Sequence, residues 1–454
     1  MKILIVGAGK VGFTLAEHLC TEQHDVIVID KDDEALRRAS ETLDVMCFRG
    51  TGASPATLKA AGVSTADLVV ATTSLDEVNM LCSLTAKRLG AKYTIVRIRD
   101  VEYTTDLASF QKDLGIDMVI NPEYSTAMEI SHLLRFPAAA NIDTFFRGRV
   151  ELLGTVVQEG DFIAGKPLSS LSSKVQNLPI LFCAAERKGT VTIPNGSFVP
   201  EKGDRLYIVG EPTGINEYFR ILGRYIPKVT SVFIVGGSRI AHYLASTLEH
   251  MKIKVTLVDL KQSRCRLLSE QLPRALVLCG DGTDQELLAS EHFSNNDAFI
   301  ALTGRDEDNL IVSLYAQQQG LKKVIAKCSR ENYGNIVRSA GLDSIVSPKE
   351  ITANRILQVV RGFGNKKGSE MTALYRIADN KAEAVEFVAN EYTLHLGTPL
   401  MDLPLKQGFL IAALLHKGRV IIPSGSTCLS MGDRVIIISR GQGIRDINDI
   451  FDHQ

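Results

Sequence analysis

The chain has 454 residues, and at roughly 150 residues per domain it is expected to divide into about three domains instead of forming one core. Lys plus Arg number 51 and Asp plus Glu 52, a net charge of −1, which argues against a surface built to track a nucleic-acid backbone. Apolar residues make up 45% and charged residues 23%; this composition buries cores, excludes long-range disorder, and contains no apolar run near the ~20 residues of a bilayer span.

Lys2 to Val6 is a short apolar run that stops at Gly7, so neither a signal peptide nor a membrane span is expected. Eight cysteines are scattered singly, without metal-ligand spacing, and read as reduced thiols of a cytoplasmic protein. Gly7-x-Gly9-x-x-Gly12 comes next and opens a stretch of helical spacing from Phe13 to Cys20; a second apolar run from Asp25 to Ile29 ends at Asp30. A lone G-x-G-x-x-G says little, but a strand before it, a helix after it and an acid about 20 residues on make the dinucleotide-binding context. Gly7 permits the tight turn, Gly9 lets the backbone approach a phosphate, and Gly12 lets the helix pack on its strand, while the helix start offers N–H groups to an anion. Asp30 would accept hydrogen bonds from both ribose hydroxyls and repel a 2′-phosphate, favouring NAD(H) or an adenosine phosphate over NADP(H). Lys10, inside the loop, either meets a terminal phosphate or stays solvated.

Leu68 to Thr72 and Thr94 to Ile98 are further apolar runs with helical segments between them, which implies parallel βαβ units and a doubly wound α/β sheet covered on both faces. Thr72-Thr73-Ser74 would border the adenosine pocket at the carboxyl edge of that sheet. Arg97 and Arg99, two apart on the expected strand Val96 to Arg99, either serve a polyphosphate or pair with acids such as Asp100 and Glu102. Tyr124 to Ala139 follows Pro122 and carries Ile130, Leu133 and Leu134 at helical spacing. It is either a linker helix packed on its own domain or a helix exchanged between subunits. Ile180 to Ala185 and Thr190 to Ile193 then flank the turn Arg187-Lys188-Gly189, an antiparallel hairpin in a small α+β module. At about 85 residues such a module is marginal alone, so it is expected to dock or dimerise.

The chain then repeats itself. Val6 to Gly12 is echoed by Val235-Gly236-Gly237-Ser238-Arg239-Ile240-Ala241 at a shift of 229 residues, Asp30 by Asp259 at 229, and Gly50-Thr51-Gly52 by Gly280-Asp281-Gly282 at 230. Asp76-Glu77-Val78-Asn79 recurs as Asp306-Glu307-Asp308-Asn309, and Glu350 to Val360 after Pro348 repeats the linker with Ile356, Leu357 and Val360. The small module recurs too: Ile193 to Ser197 matches Ile422 to Ser426, and Phe409 to Leu415 with Arg419 to Ile422 flank the turn His416-Lys417-Gly418. The layout is a tandem duplication A, B, A′, B′. Residues 1–139 and 230–366 are Rossmann-like doubly wound parallel-sheet domains, and residues 140–226 and 367–454 are the small α+β modules. In the second loop Ser238 replaces the middle glycine and its Cβ crowds the phosphate approach, while Ala241 is tolerated at the third position. With Arg239 and Asp259 retained, this copy binds nucleotide more weakly or is empty.

A dehydrogenase needs a proton-transfer group and a substrate clamp beside the nicotinamide. The nine histidines, from His18 to His453, sit on expected helices, turns or ends without a matching acid motif, and the hydrolase, metalloprotease and Walker signatures are missing. Nucleotide held without chemistry points to sensing, with no catalytic residue and no metal ligand.

These motifs, together with Thr73-Ser74-x-Asp76-Glu77-x-Asn79-Met80, Arg97-Ile98-Arg99 and the paired Ile-Pro-x-Gly-Ser segments, resemble the TrkA family over essentially the whole chain. That family comprises cytosolic regulatory subunits of the Trk potassium-uptake system, built as RCK N-lobe, RCK C-lobe, then both again. The resemblance implies a homo-oligomeric, tetrameric ring on the inner face of the cell membrane. It also implies docking on a membrane-embedded potassium-translocating subunit of TrkH or TrkG type, with NAD(H), ATP or ADP as regulatory ligand and no nucleic-acid partner. Carried over by position, the ligand contacts are Gly7, Ala8, Gly9, Lys10, Val11, Asp30, Thr73, Ser74 and Arg97, and in the second lobe Gly236, Gly237, Ser238, Arg239, Ile240 and Asp259. The rival readings are an NAD-dependent oxidoreductase and an RCK gating module of a potassium channel or antiporter.

Overall fold

The computed structural model describes residues 1–100, 103, 111–135, 142–146, 148–224, 228–330, 333, 342, 344–363, 368–378, 381–441 and 443–452. The expected domain joints at 139/140, 226 and 366/367 therefore lie outside the described residues, as do Glu102 and His453.

The first Rossmann lobe is a six-stranded parallel sheet: β1 (Lys2–Val6), β2 (Asp25–Asp30), β3 (Met46–Arg49), β4 (Leu68–Ala71), β5 (Tyr93–Arg97) and β6 (Met118–Ile120), in the order 3-2-1-4-5-6. β1 and β4 are almost entirely buried, which is why they read as continuous apolar runs: helices cover both faces. Those helices include α1 (Lys10–Thr21), α2 (Asp33–Thr42) and α3 (Asp76–Arg88). β5 ends at Arg97, so Arg99 lies beyond the strand, a correction to the expected Val96 to Arg99.

A helix, α4 (Pro122–Arg135), leads to the first small sheet: β7 (Ile142–Phe145), β8 (Val150–Val156), β9 (Ile180–Arg187), β10 (Thr190–Thr192) and β11 (Arg205–Gly210), ordered 10-9-11-8-7 and antiparallel, with α5 (Pro212–Ile221) after it. The β9–β10 turn places Lys188 at φ 48° and Gly189 at φ 77°, both left-handed, as a two-residue primed turn requires.

The second half repeats this. β12 (Ser231–Val235), β13 (Lys254–Asp259), β14 (Leu276–Cys279), β15 (Ala298–Ala301), β16 (Lys323–Lys327) and β17 (Ser344–Val346) form a parallel sheet ordered 14-13-12-15-16-17. Its helices include α6 (Arg239–His250), α7 (Gln262–Gln271) and α8 (Asp306–Gln318). After α9 (Pro348–Phe363) come β18 (Glu370–Ile377), β19 (Ala382–Val388), β20 (Phe409–His416), β21 (Arg419–Ile421) and β22 (Arg434–Arg440), ordered 18-19-22-20-21. Both linker helices start at their proline, which sits at the first helical position where its missing N–H costs nothing. The expected spans Tyr124 to Ala139 and Glu350 to Val360 are thus displaced at their starts, and residues 136–139 are outside the described residues.

Neither linker reading from sequence is complete, because each helix crosses to the other half of the same chain. Ala127, Ile130, Leu133 and Leu134 of α4 share a core with Val232, Ile234 and Leu244 of the second Rossmann lobe and with Leu153 and Leu206 of the first small sheet. Reciprocally, Ile356, Leu357 and Val360 of α9 share a core with Ile3, Ile5 and Leu15 of the first Rossmann lobe and with Val385, Val435 and Ile437 of the second small sheet. Each fully buried Leu or Ile contributes roughly 1.5–3 kcal/mol, so these faces are strong anchors. The two small sheets dock on each other through Phe145, Phe146, Leu152 and Ala184 against Ile377, Ala384, Ile436 and Ile438. The Phe146 N–H donates to the Glu386 carboxylate at 3.0 Å across that seam.

A buried ionic knot locks the exchange. Arg361 of α9 donates to Glu22 at 2.6 Å and to Glu383 at 2.8 Å, and Arg376 reaches Glu22 at 2.9 Å. Burial opposes the Glu22 charge, but the Arg361 hydrogen bond and the two guanidinium charges outweigh it and hold the carboxyl below its ordinary range. Among the described residues no helix is long and apolar enough to cross a membrane.

Candidate functional site

The first glycine loop leaves β1 and turns into α1. Gly7 takes φ +105°, and a Cβ there would stand 2.9 Å from the Thr72 carbonyl carbon, so only glycine fits the turn. Thr72 closes the turn from the next strand, its hydroxyl donating to the Gly7 carbonyl at 3.1 Å. A Cβ on Gly12 would lie 1.8 Å from the Gly7 carbonyl oxygen, the close helix approach that the motif demands. At Gly9 the situation reverses: an added Cβ would meet nothing within 4 Å. Gly9 is the N-cap of α1 and supplies no side-chain acceptor, so no cap side chain takes the first N–H groups of the helix, and the positive end of the helix dipole lies at this turn. Lys10 is exposed beside them.

Asp30 ends β2 and turns its carboxylate to the loop, accepting from the Ala8 N–H at 2.6 Å and the Asp32 N–H at 3.0 Å. Its carboxylate therefore shapes the loop. Thr73 and Ser74 lie at the carboxyl edge as expected. Asn79, fully buried, accepts from the Thr73 N–H at 2.9 Å and donates to the Arg97 carbonyl at 2.9 Å, which staples that edge to β5. Asp76 takes the N–H groups of Arg99 and Asp100 at 2.8 and 2.9 Å. The repeated Asp-x-x-Asn motif thus ties the loop after β4 to the end of β5, a role that sequence reasoning did not assign.

Arg97 does not pair with Asp100; its guanidinium stands 3.5 Å from Glu123, each side chain about five-sixths buried. Burial lowers the Arg97 pKa, with Glu123 opposing the shift. Arg99 reaches the Ser74 carbonyl at 2.6 Å. A further cation, Lys327 of the second lobe, donates to the Thr303 carbonyl at 2.5 Å. Burial lowers its pKa, and the charges acting on it include Lys10 and Glu123 of the first lobe. The edges of the two Rossmann lobes thus face each other, and Tyr243 on α6 confirms the apposition by accepting from Asn121 Nδ2 at 2.9 Å. Lys327 is the duplicate of Arg97 at a shift of 230, a signal that the repeat contained.

The second loop closes on itself. Gly236 keeps the turn at φ +98°, and Asp259 accepts from the Gly237 and Lys261 N–H groups at 2.7 and 2.8 Å. The Ser238 hydroxyl, however, is the N-cap of α6 and accepts from the Ala241 N–H at 3.4 Å, in the position open in the first lobe. Arg264 lies 3.7 Å from the Asp259 carboxylate, where the first lobe has Ala35. Arg239 and Ile240 start α6, the first exposed and the second buried.

Away from both loops, a cavity of about 980 Å³ lies where all four units meet, lined by His18, Glu129, Arg205, Arg330, Glu350 and Asn354 among others. Burial pushes the Glu129 carboxyl up to about 7. His18 stands 3.4 Å from Glu350 in this wall.

A Rossmann lobe with an acid-tipped β2 and an open helix start, duplicated and interlocked with two antiparallel modules, defines a tandem RCK-type chain. The TrkA-N domain profile matches residues 3–122 and 232–348, the TrkA-C domain profile matches residues 384–452, and the chain belongs to the TrkA family. It is 33% identical over 465 residues to the Trk system potassium uptake protein TrkA homolog 2 of Methanosarcina mazei, covering 99% of this chain and all of that one. It is 34% identical over 451 residues to the corresponding Archaeoglobus fulgidus homolog, again covering 99% and 100%. Its fold is similar to the GsuK channel bound to NAD, with a TM-score of 0.62 at 19% identity, covering 97% of this chain and 76% of that one.

Proposed function

We propose that this chain is the nucleotide-sensing regulatory subunit of a Trk-type potassium-uptake system, acting at the inner face of the membrane on a potassium-translocating partner of TrkH or TrkG type. The observation that carries the nucleotide reading is the open, uncapped start of α1 at Gly9, flanked by Lys10 and Asp30. A phosphate there receives helix N–H groups that the cap side chain leaves free, and the first-lobe contacts are Gly7 to Val11, Asp30, Thr73, Ser74 and Arg97. Gly236 to Ile240 and Asp259 form the lesser, self-capped second site. NAD(H) and ATP or ADP are the ligands whose chemistry suits this site; NAD is bound in the GsuK channel of like fold. The four units divide at 1–139, 140–226, 230–366 and 367–454, and four chains close a ring. No catalytic step is assigned to any residue.

Sensing works as a population shift. Lys327 of the second lobe feels the charges of Lys10 and Glu123 of the first, so the γ-phosphate of ATP bridges the lobes and ADP, which lacks it, does not. The relatives' names, Trk system potassium uptake proteins, supply the transport context. Calorimetric titration with ATP, ADP, NADH and NAD⁺, paired with small-angle scattering of each complex, tests the reading. Binding without turnover and an ATP-specific change of shape is the expected result. Equal ATP and ADP affinity with one common shape refutes the sensing mechanism, and steady NADH consumption would point to an oxidoreductase.

A further inference from the structure

The second Rossmann lobe carries a pair of thiols that nucleotide binding does not use. Cys265, on α7, is 7% exposed and donates its S–H to the Asp259 carbonyl at 3.2 Å and the Leu278 carbonyl at 3.5 Å. Cys279 follows Leu278, ends β14 opposite Asp259 in the parallel ladder, and is exposed. Both sulfurs therefore sit at one corner, where α7 packs on the end of β14. Burial, the neighbouring Cys279 and the Asp259 charge push the Cys265 thiol up to about 11. The first lobe has Leu36 and Arg49 at the corresponding positions, 229 and 230 residues earlier, so the pair belongs to one lobe only.

We propose that Cys265 and Cys279 are a redox site, closing to a disulfide that clamps α7 to β14 on reaction with a peroxide. The exposed Cys279 thiolate attacks a peroxide oxygen, breaking the O–O bond; the sulfur is oxidised to sulfenic acid and, with hydrogen peroxide, water leaves. Cys265 then attacks that sulfur, the S–S bond forms, and a second water departs carrying the Cys265 proton. In total two thiols lose two electrons and two protons, and the peroxide is reduced to two waters. Cys279 meets the oxidant because it is exposed, and the protonated Cys265 makes closure the slow step.

The clamp has a reader. Cys265 adjoins Arg264, which faces Asp259, and Asp259 holds the Gly237 N–H of the second glycine loop at 2.7 Å. Drawing residue 265 toward residue 279 moves the residues on which that loop rests. This site stands whether or not the first lobe binds nucleotide.

The test uses the full reduced chain, treated with a small excess of hydrogen peroxide, alkylated and digested without reductant. The expected product is one linked peptide pair containing Cys265 and Cys279, reversed by dithiothreitol. It is absent in Cys265→Leu and Cys279→Arg, which install the first-lobe residues and so preserve the fold. The closing rate should rise roughly tenfold from pH 7 to pH 8, because the Cys265 thiolate fraction does. Hydrogen exchange of the Gly237 amide should change on oxidation in the wild type and not in either variant. Oxidation of Cys279 to sulfinic acid with Cys265 still reduced overturns the proposal, as does a linked pair that persists in the variants.

Discussion

Gly9→Ala separates the use of the loop from its folding. Gly9 has φ −67° and ψ −173°, an extended conformation that alanine adopts freely, and its new Cβ would meet nothing within 4 Å. Alanine is a poorer N-cap than glycine by roughly 0.5–1 kcal/mol, while removing a glycine from the unfolded chain returns about 0.4–1 kcal/mol. The two cancel, so the melting temperature should move by no more than about 2 °C. Binding should suffer much more. The methyl group stands where a phosphate meets the helix start, and losing two charge-assisted N–H bonds at about 1.5–2 kcal/mol each weakens affinity by two to three orders of magnitude. Calorimetric titration and a thermal melt on the same preparation read both quantities. Unchanged affinity would show that the loop is only a turn; a large fall in melting temperature would show that the space above Gly9 is not open.

Three further outcomes follow from contacts already described. Ser238→Gly combined with Arg264→Ala opens the self-capped second loop, so the nucleotide stoichiometry per chain should rise from one toward two; a ratio still at one speaks against the capping account. Glu129→Gln should stabilise the chain at pH 8 and leave it unchanged below about pH 4. Burial raises the Glu129 pKa from 4.5 to about 7, so the carboxyl is neutral in both folded and unfolded states at low pH, and a penalty builds as pH rises through this window. The gap corresponds to about 3 kcal/mol, reduced to about 2 kcal/mol by the cavity beside it, and urea midpoints at the two pH values measure it. Arg361→Met should cost about 3–5 kcal/mol at pH 7 by leaving Glu22 and Glu383 facing each other with Arg376 alone. Because the Glu22 pKa is lowered in the fold, that stabilisation is complete above the unfolded value of about 4.5 and is lost as pH falls further, so the two denaturation curves should converge in acid.

What was legible in the sequence was whatever depends on period and spacing. The alternation of apolar runs with helical segments, the two glycine loops with Asp30 and Asp259, and the Lys188-Gly189 and Lys417-Gly418 turns are local signals, and the strands formed close to where those signals placed them, with β5 ending at Arg97 and not at Arg99. Partners were less legible. The apolar stripe Ile130, Leu133, Leu134 announces a buried helix face but not the lobe that covers it, because either Rossmann sheet offers a similar apolar surface. For Arg97 a polyphosphate and acids such as Asp100 and Glu102 both stayed open, and the acid that meets it is Glu123, brought close by the turn into α4. Asn79 and Asp76 stood out as a repeated motif without a role, since a side chain that ties one loop to another strand has no signature within its own segment.

The exchange of α4 and α9 also bears on how the two halves can change. In an assembly of two identical short chains, a substitution enters both copies at once and must suit both places. Here the same reciprocal embrace is made within one polypeptide, so each position on one side varies without its twin. Ser238, Arg264, Cys265 and Cys279 all sit in the second Rossmann lobe, opposite Gly9, Ala35, Leu36 and Arg49 in the first. Joined in one chain, the two sides of a near-symmetric scaffold carry different residues at corresponding places.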